Sequence, residues 1–244
     1  MANYVLVHGA WHGGWCWRAV QRLLQGQNHL ALTPTMTGHG ERTHLMSDNI
    51  TMDTVVTDIV NVLAFEDLSN VILIGHSFGG AVISGVAEQC ADRIEQLIYL
   101  DAAVLEDGES MYTQLGPEVA AQREEQAQAS SNGISFPIPS SFALGIEDAE
   151  QWASTHPRLA PQPCSTYKSA LRLKNRPGKG FRCSYIACTH PTYEPLSWAR
   201  RRVREYGWPM ISIAAGHDAM ITSPEVLAET LLQLSRPKIF SASA

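Results

Sequence analysis

Residues Val71-Ile72-Leu73-Ile74-Gly75-His76-Ser77-Phe78-Gly79-Gly80 decide the fold of this chain. Val71 to Ile74 is apolar at every position. A short run without alternation suits a strand covered on both faces, as in a parallel sheet. Residues 81–90 are small and branched and predict a helix. Between strand and helix lies G-x-S-x-G, which is weak as a bare pattern but informative in a strand–turn–helix context. The turn is so sharp that its central residue is strained, and Gly75 and Gly79 remove side chains that would collide there. Ser77 is then carried to the rim of the sheet, beside the positive end of the following helix. The expectation is a nucleophile turn with Ser77 at its apex.

Working outward, apolar strand patterns and helical patterns alternate. Strands are expected at 4–7, 29–33, 71–74, 94–100, 184–188 and 210–214, and helices at 13–24, 50–65, 81–90, 196–206 and 224–234. Thr51 is the expected N-cap of the second helix, because Val55, Val56, Ile59, Val62 and Leu63 follow at helical spacing. This alternation predicts an α/β fold, a mostly parallel sheet of about six strands with helices on both faces. Residues 103–180 break the pattern. They are rich in Pro, Ser, Gln and Gly, with helices expected at 112–129 and 147–154, and read as a lid or cap inserted into a single domain spanning 1–244.

Ligands of such sheets bind beyond the carboxyl ends of the strands, so the residues there carry the chemistry. The last strand runs into Gly216-His217-Asp218. His217 is the expected base, which takes the Ser77 proton and returns it to a leaving alcohol. A tetrahedral oxyanion needs aimed N–H donors. Phe78, following the nucleophile, offers one. Ala10, in the loop His8-Gly9-Ala10-Trp11-His12-Gly13-Gly14 after the first strand, offers the other. His8, His12 and His76 are read as shaping that loop, since no carboxylate joins them at metal-ligand spacing in the chain. The acid that orients the base usually follows the penultimate strand, but Thr189-His190-Pro191 there holds none. Asp101, ending the strand beside the nucleophile strand, is the first choice and Glu194 the second. Asp218 is disfavoured because its side chain points away from its neighbour's ring.

Composition narrows the classes. The chain has 244 residues, 45% hydrophobic and 17% charged, with a formal net charge of −6. An acidic balance argues against nucleic-acid binding. Arg200-Arg201-Arg202 with Arg204 reads as the solvated face of a helix. No stretch approaches the roughly 18 apolar residues of a membrane span, and no secretory leader is evident. Cys16, Cys90, Cys164, Cys183 and Cys188 are odd in number and lack metal-ligand spacing, which suits reduced thiols in a cytoplasmic protein. No cofactor or metal is expected, the partner is a small-molecule ester, and a homodimer stays open. Trp11, Phe78, Phe136, Phe142 and Trp152 are candidates to line an apolar pocket.

Three segments, YVLVHGAWHGGWCW (4–17), GHSFGG (75–80) and GHDAM (216–220), resemble the α/β-hydrolase superfamily. The nearest likeness is to plant methyl-ester esterases, hydroxynitrile lyases and bacterial carboxylesterases of the pyrethroid-hydrolase kind. The resemblance implies carboxylesterase chemistry without a cofactor and the roles above for Ser77, His217, Ala10 and Phe78. The plant esterases carry Asp where Pro191 stands here, whereas some dehalogenases of this fold take the acid from the strand before the cap, as Asp101 would be. Haloalkane dehalogenases and epoxide hydrolases need Asp at position 77. Hydroxynitrile lyases carry Thr in place of Gly9 and Lys after the histidine, where this chain has Asp218. The same fold also accommodates a biosynthetic acyl-transfer or cyclisation enzyme and a non-catalytic small-molecule receptor.

Overall fold

The computed structural model describes residues 1–236; the end of the expected domain, 237–244, lies outside the described residues. Eight strands and eleven α-helices are found among them. In chain order they are β1 (Asn3–Val7), α1 (Arg18–Gly26), β2 (Leu30–Leu32), α2 (Met52–Phe65), β3 (Val71–His76), α3 (Gly79–Gln89) and β4 (Ile94–Leu100). Next come α4 (Met111–Leu115), α5 (Pro117–Ser131), β5 (Ser135–Phe136), α6 (Ser141–Leu144), α7 (Ala149–Thr155), β6 (Gln162–Pro163) and α8 (Cys164–Lys168). The chain closes with β7 (Arg182–Cys188), α9 (Ser197–Glu205), β8 (Met210–Ile213), α10 (Ala219–Thr222) and α11 (Pro224–Ser235).

Six strands form one sheet in the order β2-β1-β3-β4-β7-β8, and every pairing in it is parallel. Alternate side chains of one strand enter opposite layers. Val71 and Leu73 join Val56, Ile59 and Val82 of α2 and α3, while Ile72 and Ile74 pack with Val20, Leu24, Leu227 and Leu231 of α1 and α11. Burial on both faces explains why β3 is apolar throughout. α2 starts as expected at Thr51, whose N–H donates to Thr54 Oγ1 at 3.2 Å. All five cysteines are free and buried. No helix of the described residues is long and apolar enough to cross a membrane.

The segment between β4 and β7 departs from expectation in detail. The helix read over 112–129 is two helices, broken where Gly116 has φ 88° and Pro117 opens α5. Proline has no N–H to donate into a preceding turn and fits the first position of a new helix. α8 and the short antiparallel pair of β5 and β6 have no counterpart in the sequence pattern. Gln162 of β6 ties this segment to the floor, accepting from the Trp11 N–H at 3.1 Å, and Ala160 N–H donates to Trp11 O at 2.9 Å.

Candidate active site

The register of the sheet places the site. β3 pairs with β4 up to His76 opposite Leu100, so Ser77 and Asp101 leave adjacent strands side by side. Both have left-handed backbones, φ 51° at Ser77 and 41° at Asp101. Such conformations cost non-glycine residues of order 1–3 kcal/mol and persist only where surrounding contacts impose them. Here Ser77 N–H donates to Leu100 O at 3.1 Å, Ala103 N–H to Ser77 O at 2.9 Å, and Asp101 N–H to Ile186 O at 2.7 Å. A Cβ on Gly75 would lie 2.4 Å from Gly79 O, so the turn closes only without one.

Ser77, His217 and Asp101 come together at this rim. His217 Nε2 lies 3.0 Å from Ser77 Oγ, and His217 Nδ1 lies 2.8 Å from Asp101 Oδ2. All three are buried, Asp101 completely. Burial pushes the Asp101 carboxyl up, but the hydrogen bond and charge of His217 and the charge of Arg200 outweigh it and hold it below its ordinary range. Glu194, the second choice for the acid, is exposed and makes no hydrogen bond to His217. Asp218 is engaged elsewhere, its Oδ2 lying 3.0 Å from His12 Nε2.

Arg200 corrects the reading of the basic cluster. Only Arg201 and Arg204 of the four are exposed. Arg202 pairs with Glu109, Nη2 to Oε1 at 2.9 Å. Arg200 is buried, with Nη2 2.7 Å from Asp101 Oδ1. The signal is present in helical spacing: Arg200 shares a stripe with Leu196, Ala199 and Val203, all buried. A second residue missed in the sequence is Tyr193, whose ring stacks on His217 with centroids 3.9 Å apart and 17° between planes.

The two expected oxyanion donors belong to the loop after β1 and to the turn that holds Ser77. The N–H groups of Ala10 and Phe78 have no hydrogen-bond acceptor among the described residues, whereas the next one along, Trp11, is spent on Gln162. Gly9 lies against the nucleophile turn; a Cβ there would be 2.9 Å from both Ser77 Cβ and His76 Nδ1. His8 does shape the loop. Its Nδ1–H donates to Gly9 O at 2.8 Å and its Nε2 accepts from Met36 N–H at 3.1 Å. His12 reaches further than expected. Its Nδ1–H donates to Ala10 O at 2.7 Å and its Nε2–H to Asp218 Oδ2 at 3.0 Å. Two donated bonds require the doubly protonated ring. Burial alone would lower its proton affinity, but the charge and hydrogen bond of Asp218 raise it. Asp218 is thus the carboxylate that chain spacing does not reveal. His76 Nε2–H donates to His217 O at 2.9 Å, and burial, with the His217 charge next, lowers its pKa to about 3. His76, His217 and Asp218 offer atoms within 4.8 Å of one another, but each already holds another residue by hydrogen bonds.

A cavity of about 370 Å³ opens onto Ser77, walled by Trp11, Met111, Leu115, Tyr167 and Trp198, with Arg123 and Glu194 at its edge. A neighbouring one of about 380 Å³ touches His217, Pro191 and Phe142. Tyr193 borders both. Phe78 and Phe136 stand behind the wall, each against Tyr167, and Trp152 packs on His156 and borders neither. Chemically, a hydroxyl, an imidazole and a carboxylate in line, with two free N–H groups beside the hydroxyl, suit attack on a carbonyl carbon.

The chain is 39% identical over 243 residues to a carbendazim hydrolyzing esterase of Nocardioides sp. (strain SG-4G), covering 96% of this chain and 100% of that protein. It is 26% identical over 261 residues to a pyrethroid hydrolase of Sphingobium wenxiniae, covering 95% and 86%. Among solved structures, an extracellular alpha/beta-hydrolase from a Paenibacillus species superposes with a TM-score of 0.86 at 25% identity, covering 97% of this chain and 100% of that one. The profile of the Alpha/beta hydrolase family matches residues 4–230. With this sheet order and this match across nearly its whole length, the chain belongs to the alpha/beta hydrolase family.

Proposed function

We propose that this protein is a serine carboxylesterase that hydrolyses a small apolar or aromatic carboxylic ester through an acyl-enzyme. The observation that carries the reading is the continuous hydrogen-bonded line from Ser77 through His217 to Asp101. Ser77 Oγ attacks the ester carbonyl carbon and its proton passes to His217 Nε2. The oxyanion is held by the N–H groups of Ala10 and Phe78. The C–O bond to the alcohol breaks as His217 returns the proton to the leaving oxygen. Water then attacks the acyl-Ser77 ester with His217 again as base, releasing the carboxylic acid. Asp101 keeps the imidazole oriented and balances its charge in both halves. The aromatic walls of the cavity support an apolar or aromatic substrate, in keeping with the carbendazim and pyrethroid in the names of two relatives. Residues 103–180 act as the lid of a single domain, and five free buried thiols suit a cytoplasmic protein. Gly9 favours hydrolysis over hydroxynitrile cleavage, because a threonine there would meet Ser77 and His76.

The test is a chromogenic aryl ester with rapid mixing. The expected result is a burst of alcohol equal to the enzyme present, a mass increase on the peptide holding Ser77, and loss of roughly a thousandfold or more in turnover for Ser77→Ala with folding unchanged. Near-normal turnover by folded Ser77→Ala would overturn the serine mechanism.

A further inference from the structure

Asp101 is completely buried, and a buried carboxylate with one partner is costly to keep ionised. Its oxygens are divided between two partners. Oδ2 faces His217 at 2.8 Å, and Oδ1 accepts from Arg200 Nη2 at 2.7 Å. Arg200 is itself only 8% exposed. It projects from α9, whose neighbouring stripe residues Ala199 and Val203 are anchored in the core. The guanidinium is therefore built into the molecule on the side of Asp101 away from the imidazole. We propose that Arg200 is a positioning residue of this site, one that locks the Asp101 carboxylate in the orientation His217 needs and sets the pH range over which the pair works. The proposal rests on the serine-esterase reading above.

Electrostatics around the pair give the direction. Tyr185 and Cys188 of β7 are pushed up by burial, Tyr193 is pushed up by burial to about 12, and His76 is pushed down by burial to about 3, so all four are neutral near neutrality. Asp218 is balanced by His12, and Glu194 is exposed to solvent screening. Among the described residues, Asp101 is left with one fixed counter-charge, Arg200. Taking that charge away favours the protonated form of the Asp101–His217 pair, so the apparent pKa of the pair as a unit rises. The carboxylate also loses the bond that fixes its second oxygen.

The experiment compares Arg200→Met, Arg200→Gln and Arg200→Lys with the unaltered enzyme on a chromogenic aryl ester. Competent sites are counted with a covalent serine-directed probe, and kcat and KM are taken across pH. For Met and Gln the expected result is a loss of about tenfold or more in kcat per labelled site with KM changed less than about threefold. The acid limb of kcat/KM moves to higher pH by about one unit. Lys, which restores the charge, returns the limb to its original place. Gln, smaller and polar, gives the same reading if Met does not fold. Unchanged kcat per labelled site and an unmoved limb in either variant would overturn the proposal. So would a loss confined to the number of labelled sites, which is the mark of a merely structural arginine. Ser77→Ala run alongside separates the two claims: its retained turnover would sink the serine mechanism, while its inactivity leaves the Arg200 variants to decide this one.

Discussion

Among single residues, Asp101 and Glu194 compete for the role of acid, and their surroundings rank them. Asp101 lies 2.8 Å from the His217 ring, while Glu194 is exposed at the cavity edge. We expect Asp101→Asn to cost at least about a hundredfold in turnover with little change in fold, and Glu194→Gln to cost much less. Steady-state kinetics of the two variants check this, and the reverse order would move the acid to the turn after β7. The sequence makes Asp101 visible by elimination, since β7 ends without a carboxylate. Ser77, centred between Gly75 and Gly79, and His217, following Gly216, are visible because each lies at a strand end, where a sheet of this kind does its chemistry. Arg200 escapes notice because a run of arginines is ordinarily solvated. Charge is louder in a sequence than the faint stripe Leu196, Ala199, Arg200, Val203. Tyr193 escapes for a different reason: nothing in its neighbourhood encodes which ring it will cover.

At the scale of elements, the six-stranded sheet is readable because both-face burial leaves uninterrupted apolar runs, while the connection from β4 to β7 is not. Two-residue strands such as β5 and β6 are too short for any period to appear. The break between α4 and α5 is written in Gly116-Pro117, although the helical spacing on either side masks it. Tertiary partnership also lies beyond the chain's local pattern: His12 and Asp218 stand 206 positions apart yet form one buried ion pair. That pair joins the loop bearing Ala10 to the loop bearing His217. We expect Asp218→Asn to lower kcat at least about tenfold with KM nearly unchanged, because both loops loosen without losing substrate contacts. It should also lower the melting temperature, since the buried His12 ring loses the charge and hydrogen bond of Asp218 that favour its protonated form. The double variant Asp218→Asn with His12→Gln replaces the buried ring as well, so that two neutral amides face each other. It should recover much of the thermal stability and little of the turnover, a contrast that calorimetry and kinetics on the same samples would check.

For the molecule as a whole, buried histidines tie stability to pH. His8, His39 and His76 are held neutral, chiefly by burial, with proton affinities below the ordinary value of 6.5. A group depressed on folding contributes stability that is present above its unfolded value and lost as pH falls towards its folded one. His12 runs the other way: its pKa is raised, so its contribution is full below 6.5 and fades as pH rises through the folded value. With the half-buried His29 also lowered by burial, four depressed rings oppose one raised, so the melting temperature should fall steadily from pH 7 to pH 5, with protons taken up on unfolding. A melting temperature that is flat or rises over that range would contradict this balance. The five buried free cysteines add a separate consequence. Their sulfurs are shielded from solvent, and burial pushes the thiol of Cys16, for one, well up, so little nucleophilic thiolate exists to react. A maleimide or disulfide reagent added to the native protein therefore meets almost nothing until the chain opens. Scattered from the turn before α1 to the end of β7, these sulfurs form a set of silent reporters. Their order of alkylation would time how each part of the molecule comes apart, without a single label having been engineered.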